Sequence, residues 1–188
     1  MISIRALSVA AVLSFGALSG VAYAQENPEV GGAAMFADKN IIENAVNSAD
    51  HTTLVAAVQA AGLVETLSGE GPFTVLAPVN AAFDALPAGT VDTLLLPENK
   101  EMLSTILACH VIPAKALSTD IVGMVEADGG EHVVDTVGGC KLTLKAADGK
   151  VTVTDENGTV ANVTIADVIQ SNGVIHVIDA VLTPKSAM

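Results

Sequence analysis

Apolar residues recur every three to four positions in the first half of the chain, a spacing typical of helices that bury one face. Within Thr52–Ala61 this spacing links Leu54, Val58 and Ala61, and it predicts an amphipathic helix. Gly62 follows directly and favours the end of the helix there, because glycine adopts the left-handed C-cap conformation without strain.

The same pattern predicts further short elements before residue 113. They are helices over Asn40–Ser48 and Asn80–Leu86, a buried strand over Phe73–Ala77 that ends before Pro78, and a helix opened by Pro97. Proline is suited to the first turn of a helix, where its missing N–H has no partner to lose. That last helix gives way near Cys109 to an extended segment.

From Glu131 onward the pattern changes to short runs rich in Val, Ile and Thr. The predicted strands are His132–Val137, Cys140–Leu144, Val151–Thr154, Val160–Ile169 and Val174–Leu182. They are separated by turn dipeptides, Gly138-Gly139, Asp148-Gly149, Asn157-Gly158 and Asn172-Gly173. Helices followed by an antiparallel sheet predict an α+β domain.

The N-terminal residues 1–24 have the pattern of a signal peptide. Arg5 precedes the apolar stretch Ala6–Val21, and Ala22-Tyr23-Ala24 provides the small-residue cleavage pattern. An uncleaved membrane anchor is the alternative, but the stretch is short for a bilayer span and contains Ser and Gly. We therefore divide the chain into a signal peptide (1–24), a flexible leader (25–38), one domain (39–185) and a tail (186–188).

Composition excludes several classes of function. The chain has 188 residues, a formal charge of −13, 51% hydrophobic and 15% charged residues, which argues against disorder and against binding to nucleic acid. After cleavage it retains neither Arg, Trp nor Tyr. It therefore lacks bidentate clamps for phosphate and the aromatic platforms on which bases and sugars stack. No stable membrane insertion is expected of the mature chain.

The chain has two cysteines, Cys109 and Cys140, both in the exported part. In an oxidising compartment a disulfide is the favoured interpretation. The alternative is a nucleophile or metal site that uses Cys109 with His110. Neighbouring residues on a strand point to opposite faces, which disfavours a shared metal.

No motif predicts catalysis, a cofactor or a metal site. The sequence contains no G-x-S-x-G, H-E-x-x-H, P-loop or dinucleotide-binding pattern. His51 and His132 are expected to face solvent, whereas His110 and His176 are expected to be hydrogen-bonded structural histidines. Asp155-Glu156-Asn157-Gly158 has part of a calcium-loop pattern but is better explained as a hairpin turn.

Three segments together resemble the signatures of the fasciclin domain family. They are Gly71-Pro72-Phe73-Thr74-Val75-Leu76-Ala77-Pro78-Val79-Asn80-Ala81-Ala82-Phe83, then Ile106-Leu107-Ala108-Cys109-His110-Val111-Ile112-Pro113, and finally Ser171-Asn172-Gly173-Val174-Ile175-His176-Val177-Ile178-Asp179-Ala180-Val181-Leu182. The motif residues expected to specify the fold are Phe73, Pro78, Asn80, Phe83, His110, Asn172, Gly173, His176 and Asp179. Cys109 stands where the family usually has Tyr, which suggests that a cross-link to Cys140 replaces the packing of a ring.

The resemblance implies a twisted β-sandwich or wedge with flanking helices. It implies an exported, non-enzymatic interaction or cell-adhesion module, periplasmic or secreted, that binds another protein or a surface component. A periplasmic small-molecule or metal-binding protein is the alternative, which a deep apolar pocket would favour. Asn80 is expected to cap the helix that it begins, and His110 to be buried and bonded to the backbone or to Asn80.

Overall fold

The computed structural model of the protein describes residues 27–185. The predicted signal peptide and the tail at 186–188 lie outside the described residues. Seven α-helices are present in this part of the chain: α1 Ile41–Ala45, α2 Thr52–Ala61, α3 Val64–Ser68, α4 Asn80–Asp84, α5 Thr90–Leu94, α6 Lys100–Ala108 and α7 Ser118–Ala127. Two 3₁₀ turns, Ala49–His51 and Pro97–Asn99, precede α2 and α6. None of the helices between residues 27 and 185 is both long and apolar enough to cross a bilayer.

Seven strands form a mixed sheet in the order β2-β1-β7-β6-β5-β4-β3. Their bounds are β1 Phe73–Pro78, β2 Val111–Ile112, β3 His132–Asp135, β4 Lys141–Ala147, β5 Lys150–Thr154, β6 Val160–Gln170 and β7 Gly173–Ile178. All pairings are antiparallel except that of β1 with β7, which is parallel over six residue pairs. The predicted α+β class is confirmed, while the expectation of a purely antiparallel sheet is wrong, because β1 from the helical half joins the sheet.

β6 connects two parts of the sheet and gives the fold its wedge shape. Its first residues pair with β5, as in Asn162 with Thr152, and its later residues pair with β7 from Val163 to Gln170. Two register shifts between Val163 and Val168 interrupt the second pairing. Irregularities of this kind bend a strand and increase its twist, so one strand serves both parts of the sheet.

Two apolar cores lie on the two parts of the sheet. The larger core packs α1–α4 and α6 on β1 and β7, with Leu54, Phe83 and Leu107 among its buried side chains. In the smaller core, α7 packs on β4–β6 through Ile121 and Val125, whose side chains are almost completely buried. The sequence pattern did not predict α7, although the spacing of four residues between Ile121 and Val125 is typical of a helix.

The described part of the predicted flexible leader, residues 27–38, is packed rather than extended into solvent. Val30 and Met35 are buried in the larger core. The side-chain amide of Asn27 donates to the Ile169 carbonyl (2.7 Å), and the Ile169 amide donates back to Asn27 (2.8 Å). The prediction failed here because the glycines and the proline of this segment indicate turns but do not indicate where the apolar residues between them dock.

Two glycines of the signature segments lie where the backbones of β1 and β7 approach each other. A Cβ on Gly173 would overlap the carbonyl of Phe73, and one on Gly71 would overlap the carbonyl of Asn172. Gly173 is the first residue of β7 and pairs with Gln170, so the hairpin turn consists of Ser171 and Asn172 rather than the predicted Asn172-Gly173. Gly173 is therefore required for the close approach of β1 and β7 and not for the turn.

We expect Gly173→Ala to lower the free energy of unfolding by about 2 kcal/mol or more, because a backbone carbonyl cannot move aside as a side chain can. Gly123→Ala is the matched control, since Gly123 is exposed within α7 and a Cβ there meets nothing within 4 Å. It should stabilise the protein by roughly 0.5–1 kcal/mol through helix propensity. Denaturant unfolding of both variants measures the difference, and equal effects of the same sign would contradict this account.

Candidate functional site: an apolar cavity and three buried histidines

A cavity of about 70 Å³ lies between the helices and the sheet within the larger core. Its wall is formed mainly by aliphatic side chains of α1, α2, α3, β1 and β7, including Ile41, Leu54, Val58, Leu67, Val75 and Ile175. Four polar residues reach the same space: Ser48, His51, Gln59 and His110. The cavity thus brings polar groups against a largely apolar, enclosed surface.

Ser48 and His51 form a buried hydrogen-bonded pair at the edge of this cavity. The Ser48 hydroxyl and His51 Nδ1 are 2.9 Å apart, and His51 Nε2 lies 3.4 Å from the Ala77 carbonyl. Loss of hydration lowers the pKa of His51, an effect partly opposed by the bond to Ala77 and by the charge of Asp50. The expectation that His51 is solvated is wrong, because the 3₁₀ turn before α2 directs its ring inward onto β1.

His110 connects three segments that are distant in sequence. Its Nδ1 bonds the Ile106 carbonyl at the end of α6 (2.8 Å), and its Nε2 accepts the amide of Leu182 (2.9 Å). Its own carbonyl accepts the amide of Leu76 in β1 (2.8 Å). A carbonyl requires a donor and an amide an acceptor, so His110 is the neutral tautomer protonated on Nδ1. Burial lowers its pKa to about 4.

His176 is held in the opposite tautomer on β7. Its Nε2 lies 2.8 Å from the Ala116 carbonyl and therefore donates, while its Nδ1 accepts the Asp167 amide (3.3 Å). The residue has no exposed surface, and desolvation lowers the pKa of its imidazole. The sequence pattern placed His110 and His176 inside the domain, but it provided no basis for naming their backbone partners.

Neither His110 nor His176 has a ring nitrogen available for catalysis or for a metal. Every nitrogen already serves a backbone group, and a third ligand is absent: within residues 27–185 no three His, Cys, Asp or Glu side chains converge into a metal site. His132, expected to face solvent, is partly exposed and bonds Asp128 at 2.6 Å. Of the described histidines, His51 and His110 line the cavity, whereas His132 and His176 lie outside its lining.

Cys109 and Cys140 are joined in a disulfide with a Cα–Cα distance of 5.3 Å. Both cysteines are almost completely buried. The loop between β3 and β4 lies directly on the end of α6, where the Gly138 amide donates to the Ala108 carbonyl (3.0 Å). Since the chain has only these two cysteines, no thiol remains to act as nucleophile or ligand.

Asn80 does not perform the predicted role. Its side-chain oxygen accepts the Thr53 amide (3.0 Å) and its amide donates to the Ala49 carbonyl (2.9 Å). It thereby caps α2 from a distance of 27 residues along the chain instead of capping α4, and it makes no bond to His110. A capping residue next to its own helix can be predicted from sequence, but a cap supplied by another element requires the fold.

The other signature residues are placed in the core or at strand ends. Phe83 is buried in the larger core, Pro78 ends β1, and Phe73 is half-buried at its start. Asn172 accepts the Ile41 amide (3.1 Å) and donates to the Leu67 carbonyl (2.8 Å), which fixes α1 and α3 to the β6–β7 turn. Asp179 accepts the amide of Asn162 (2.7 Å).

Two aspartates that the sequence analysis did not select fulfil similar roles. The buried carboxylate of Asp155 accepts the amides of Asn157 (2.9 Å), Thr159 (2.8 Å) and Thr183 (2.9 Å). Asp155-Glu156-Asn157-Gly158 is thus a turn, as interpreted, with an additional contact to the C-terminal segment. Asp167 accepts the amide of Ser118 at the start of α7 (2.6 Å). The sequence can predict that an aspartate lies in a turn. It does not indicate which distant residue the aspartate bonds.

These contacts define an α+β domain in which the polar signature residues bond the backbones of other elements. The chain belongs to the fasciclin domain family, whose model matches residues 49–184. It is 45% identical to Protein sll1483 of Synechocystis sp. over 94% of this chain and 98% of that protein. It is 34% identical to the cell surface glycolipoprotein MPB83 of Mycobacterium bovis, over 87% of this chain and 70% of that protein.

Two further comparisons are partial. The transforming growth factor-beta-induced protein ig-h3 of Sus scrofa is 40% identical over 71% of this chain, which corresponds to 17% of that protein. A solved FAS1 domain pair from the insect cell adhesion molecule Fasciclin I superposes with a TM-score of 0.70 at 16% identity. This match covers 79% of our chain and 52% of the other. At this identity it supports the fold alone.

The three buried histidines predict that acid destabilises the fold. A folded-state pKa below the ordinary value means that the unfolded chain binds more protons, so stability is present above about pH 6.5 and is lost as the pH falls toward 4. For His110, the lowering from 6.5 to about 4 corresponds to about 3 kcal/mol. Urea unfolding between pH 7 and pH 4 measures the slope.

His110→Ala separates this histidine from the titration of the carboxylates. The variant should be less stable at pH 7 by about 1–3 kcal/mol, because the Leu182 amide and the Ile106 carbonyl lose their partner. Its stability should fall less between pH 7 and pH 4 than that of the wild type. A wild-type slope that His110→Ala leaves unchanged would show that the ring is not held neutral.

Proposed function

We propose that this chain is an exported, non-enzymatic interaction module that binds another protein or a component of a cell surface. The signal-peptide pattern of residues 1–24 supports export to the periplasm or the medium. One of the similar proteins, MPB83, carries the words cell surface in its name. The acidic net charge of −13 disfavours nucleic acid and anionic membranes as partners.

The outer face of the β3–β6 sheet carries this proposal. Val133, Thr143, Thr154 and Val160 lie in one row across four neighbouring strands. The valines at the two ends are 55% and 52% exposed. The two exposed valines and the partly buried threonines between them offer a partner apolar side chains to cover, and this is the surface that we assign to it.

The test is retention of a partner from an envelope extract of the source organism on the immobilised mature protein, Gln25 to Met188. We expect Val133→Lys and Val160→Lys each to weaken retention about tenfold or more, because a charge would be placed in an apolar contact. Val46→Lys is the matched control, since Val46 is also 52% exposed but lies at the end of α1. If the wild type retains nothing, or if all three variants behave alike, the sheet face is not the binding surface.

The apolar cavity favours a second candidate, the binding of a small apolar molecule. At about 70 Å³ it is roughly half the size of an apolar cavity that admits benzene, about 150 Å³. It suits a slender group such as the end of a hydrocarbon chain, with Ser48 and His51 available for one polar atom. This function does not require the sheet face, so the two candidates can be tested separately.

Binding of xenon, an apolar atom that enters small dry cavities, tests the cavity through the xenon NMR chemical shift. Val58→Phe should fill the space and abolish the protein-induced shift with little loss of stability, because Val58 lines the cavity. Val125→Phe is the control, since Val125 is buried in the smaller core away from it, and overpacking there should cost roughly 1–3 kcal/mol. Equal uptake by the wild type and by Val58→Phe would exclude the cavity as the binding site.

A further inference from the structure

A second concave surface lies apart from both the cavity and the sheet face. It runs between the segment from α4 to α5, one side of α6 and the C-terminal segment, with a volume of about 450 Å³. We refer to it as the α6 groove; its apolar lining includes Leu86, Leu94, Met102, Ile106 and Val181. Met102 is 45% exposed, which is unusual for a large apolar side chain within a groove.

The C-terminal wall of the α6 groove is held by specific contacts. Next to Val181, the Leu182 amide donates to His110. Thr183 donates its amide to the buried Asp155 carboxylate (2.9 Å), and the Asn157 side chain donates to the Thr183 carbonyl (3.0 Å). A groove whose wall is fixed in advance loses less conformational entropy when it binds a ligand.

Four acidic side chains lie close in sequence to residues that line the groove. Asp84 and Asp92 lie on α4 and α5, Glu98 lies one turn before Met102, and Glu101 precedes Met102 directly; all four are exposed. Between residues 27 and 185, none of them forms a salt bridge, since the only ion pairs involve Asp128, Asp135 and Glu131. Their negative charge is therefore available to a ligand.

Lysine side chains contribute little positive charge near the α6 groove. The Lys100 ammonium is directed toward Gly62 at the end of α2, away from Met102. Lys185 lies two residues beyond Thr183 and is the other lysine close in sequence to the groove. A second copy of this chain is a poor occupant, because it brings the same acidic edge and a net charge of −13 to a contact with like charge.

We propose that the α6 groove binds a partner segment with large apolar side chains flanked by Lys or Arg. The apolar side chains would cover Met102, Leu86 and Leu94, and the flanking cations would face the four carboxylates. This inference adds a second contact surface to the proposed interaction module. It rests on the proposed function only in assuming that the protein has a binding partner. It identifies the partner by its chemistry, a cationic apolar peptide segment.

The direct test uses two labelled peptides of equal length, one built of leucine and lysine and one in which every lysine is replaced by glutamate. Fluorescence anisotropy with the full mature protein should show binding of the first peptide and none of the second. Asp92→Asn/Glu98→Gln should weaken binding roughly fivefold, and Met102→Gln should weaken it about tenfold or more. Added salt should weaken wild-type binding, since the four carboxylates are exposed.

Matched controls separate the groove from the general charge of the protein. Glu65→Gln/Glu126→Gln removes the same charge from exposed positions on α3 and α7. Glu65→Gln/Glu126→Gln should bind the peptide as the wild type does, and so should Val46→Gln, which removes an exposed apolar side chain at the end of α1, outside both proposed surfaces. The inference is overturned if Glu65→Gln/Glu126→Gln weakens binding as much as Asp92→Asn/Glu98→Gln. It is also overturned if Met102→Gln binds normally, or if the wild type forms a dimer that Met102→Gln dissociates.

Failure of this inference is distinguishable from failure of the proposed function. If the wild type and Met102→Gln retain the envelope partner equally while Val133→Lys does not, the interaction function stands and the groove has no part in it. If the wild type retains no partner but binds the leucine–lysine peptide with loss in Met102→Gln, the groove inference stands on its own.

Discussion

The parallel pairing of β1 with β7 is the constraint on which the rest of the structure depends. It joins Phe73–Pro78 to Gly173–Ile178 over six successive residue pairs, and so brings together segments about a hundred residues apart. Such a pairing costs chain entropy before any contact is made. The pairing therefore depends on the close approach of the two backbones at Gly173. It also depends on the burial of the side chains along β1 and β7. Once they are paired, α1–α4 and α6 have one surface to cover, and β6 extends the same sheet toward the smaller core.

The buried histidines stabilise the region around the β1–β7 pairing without burying a charged group. His110 and His176 each connect one carbonyl and one amide from different elements, and the neutral ring is the form that serves both. Burying a charged group without a partner would cost several kcal/mol, whereas a neutral imidazole with both nitrogens bonded costs far less. The same bonds explain why these residues are poor candidates for catalysis: a proton gained at Nε2 of His110 would break its bond to Leu182.

The sequence predicted local features well and long-range features poorly, for a physical reason. The end of α2 at Gly62 is confirmed, with the glycine in the left-handed conformation, because a helix end is determined by neighbouring residues. The Asp148-Gly149 turn is likewise present between β4 and β5, with both residues at positive φ. Asn80 capping α2, His51 turning inward and residues 27–38 packing on the core were all missed. In each case the deciding partner lies on another element, and no spacing along the chain indicates it. The sheet face and the α6 groove were missed for the same reason, since their residues come from several elements.

The distribution of charge gives these two surfaces different properties. The sheet face has Lys141 and Lys145 paired with Asp135 and Glu131, so its local charge is largely balanced and Val133 and Val160 dominate contact there. The carboxylates around the α6 groove have no such partners in the described part of the chain. An acidic protein stays soluble and apart from its own copies by repulsion, and apolar side chains can then remain exposed without self-association. The proposed cationic partner would turn that repulsion into attraction at the groove, with Met102 as the apolar contact. The acidity that disfavours nucleic acid would then also favour cationic partners for the exposed apolar surface.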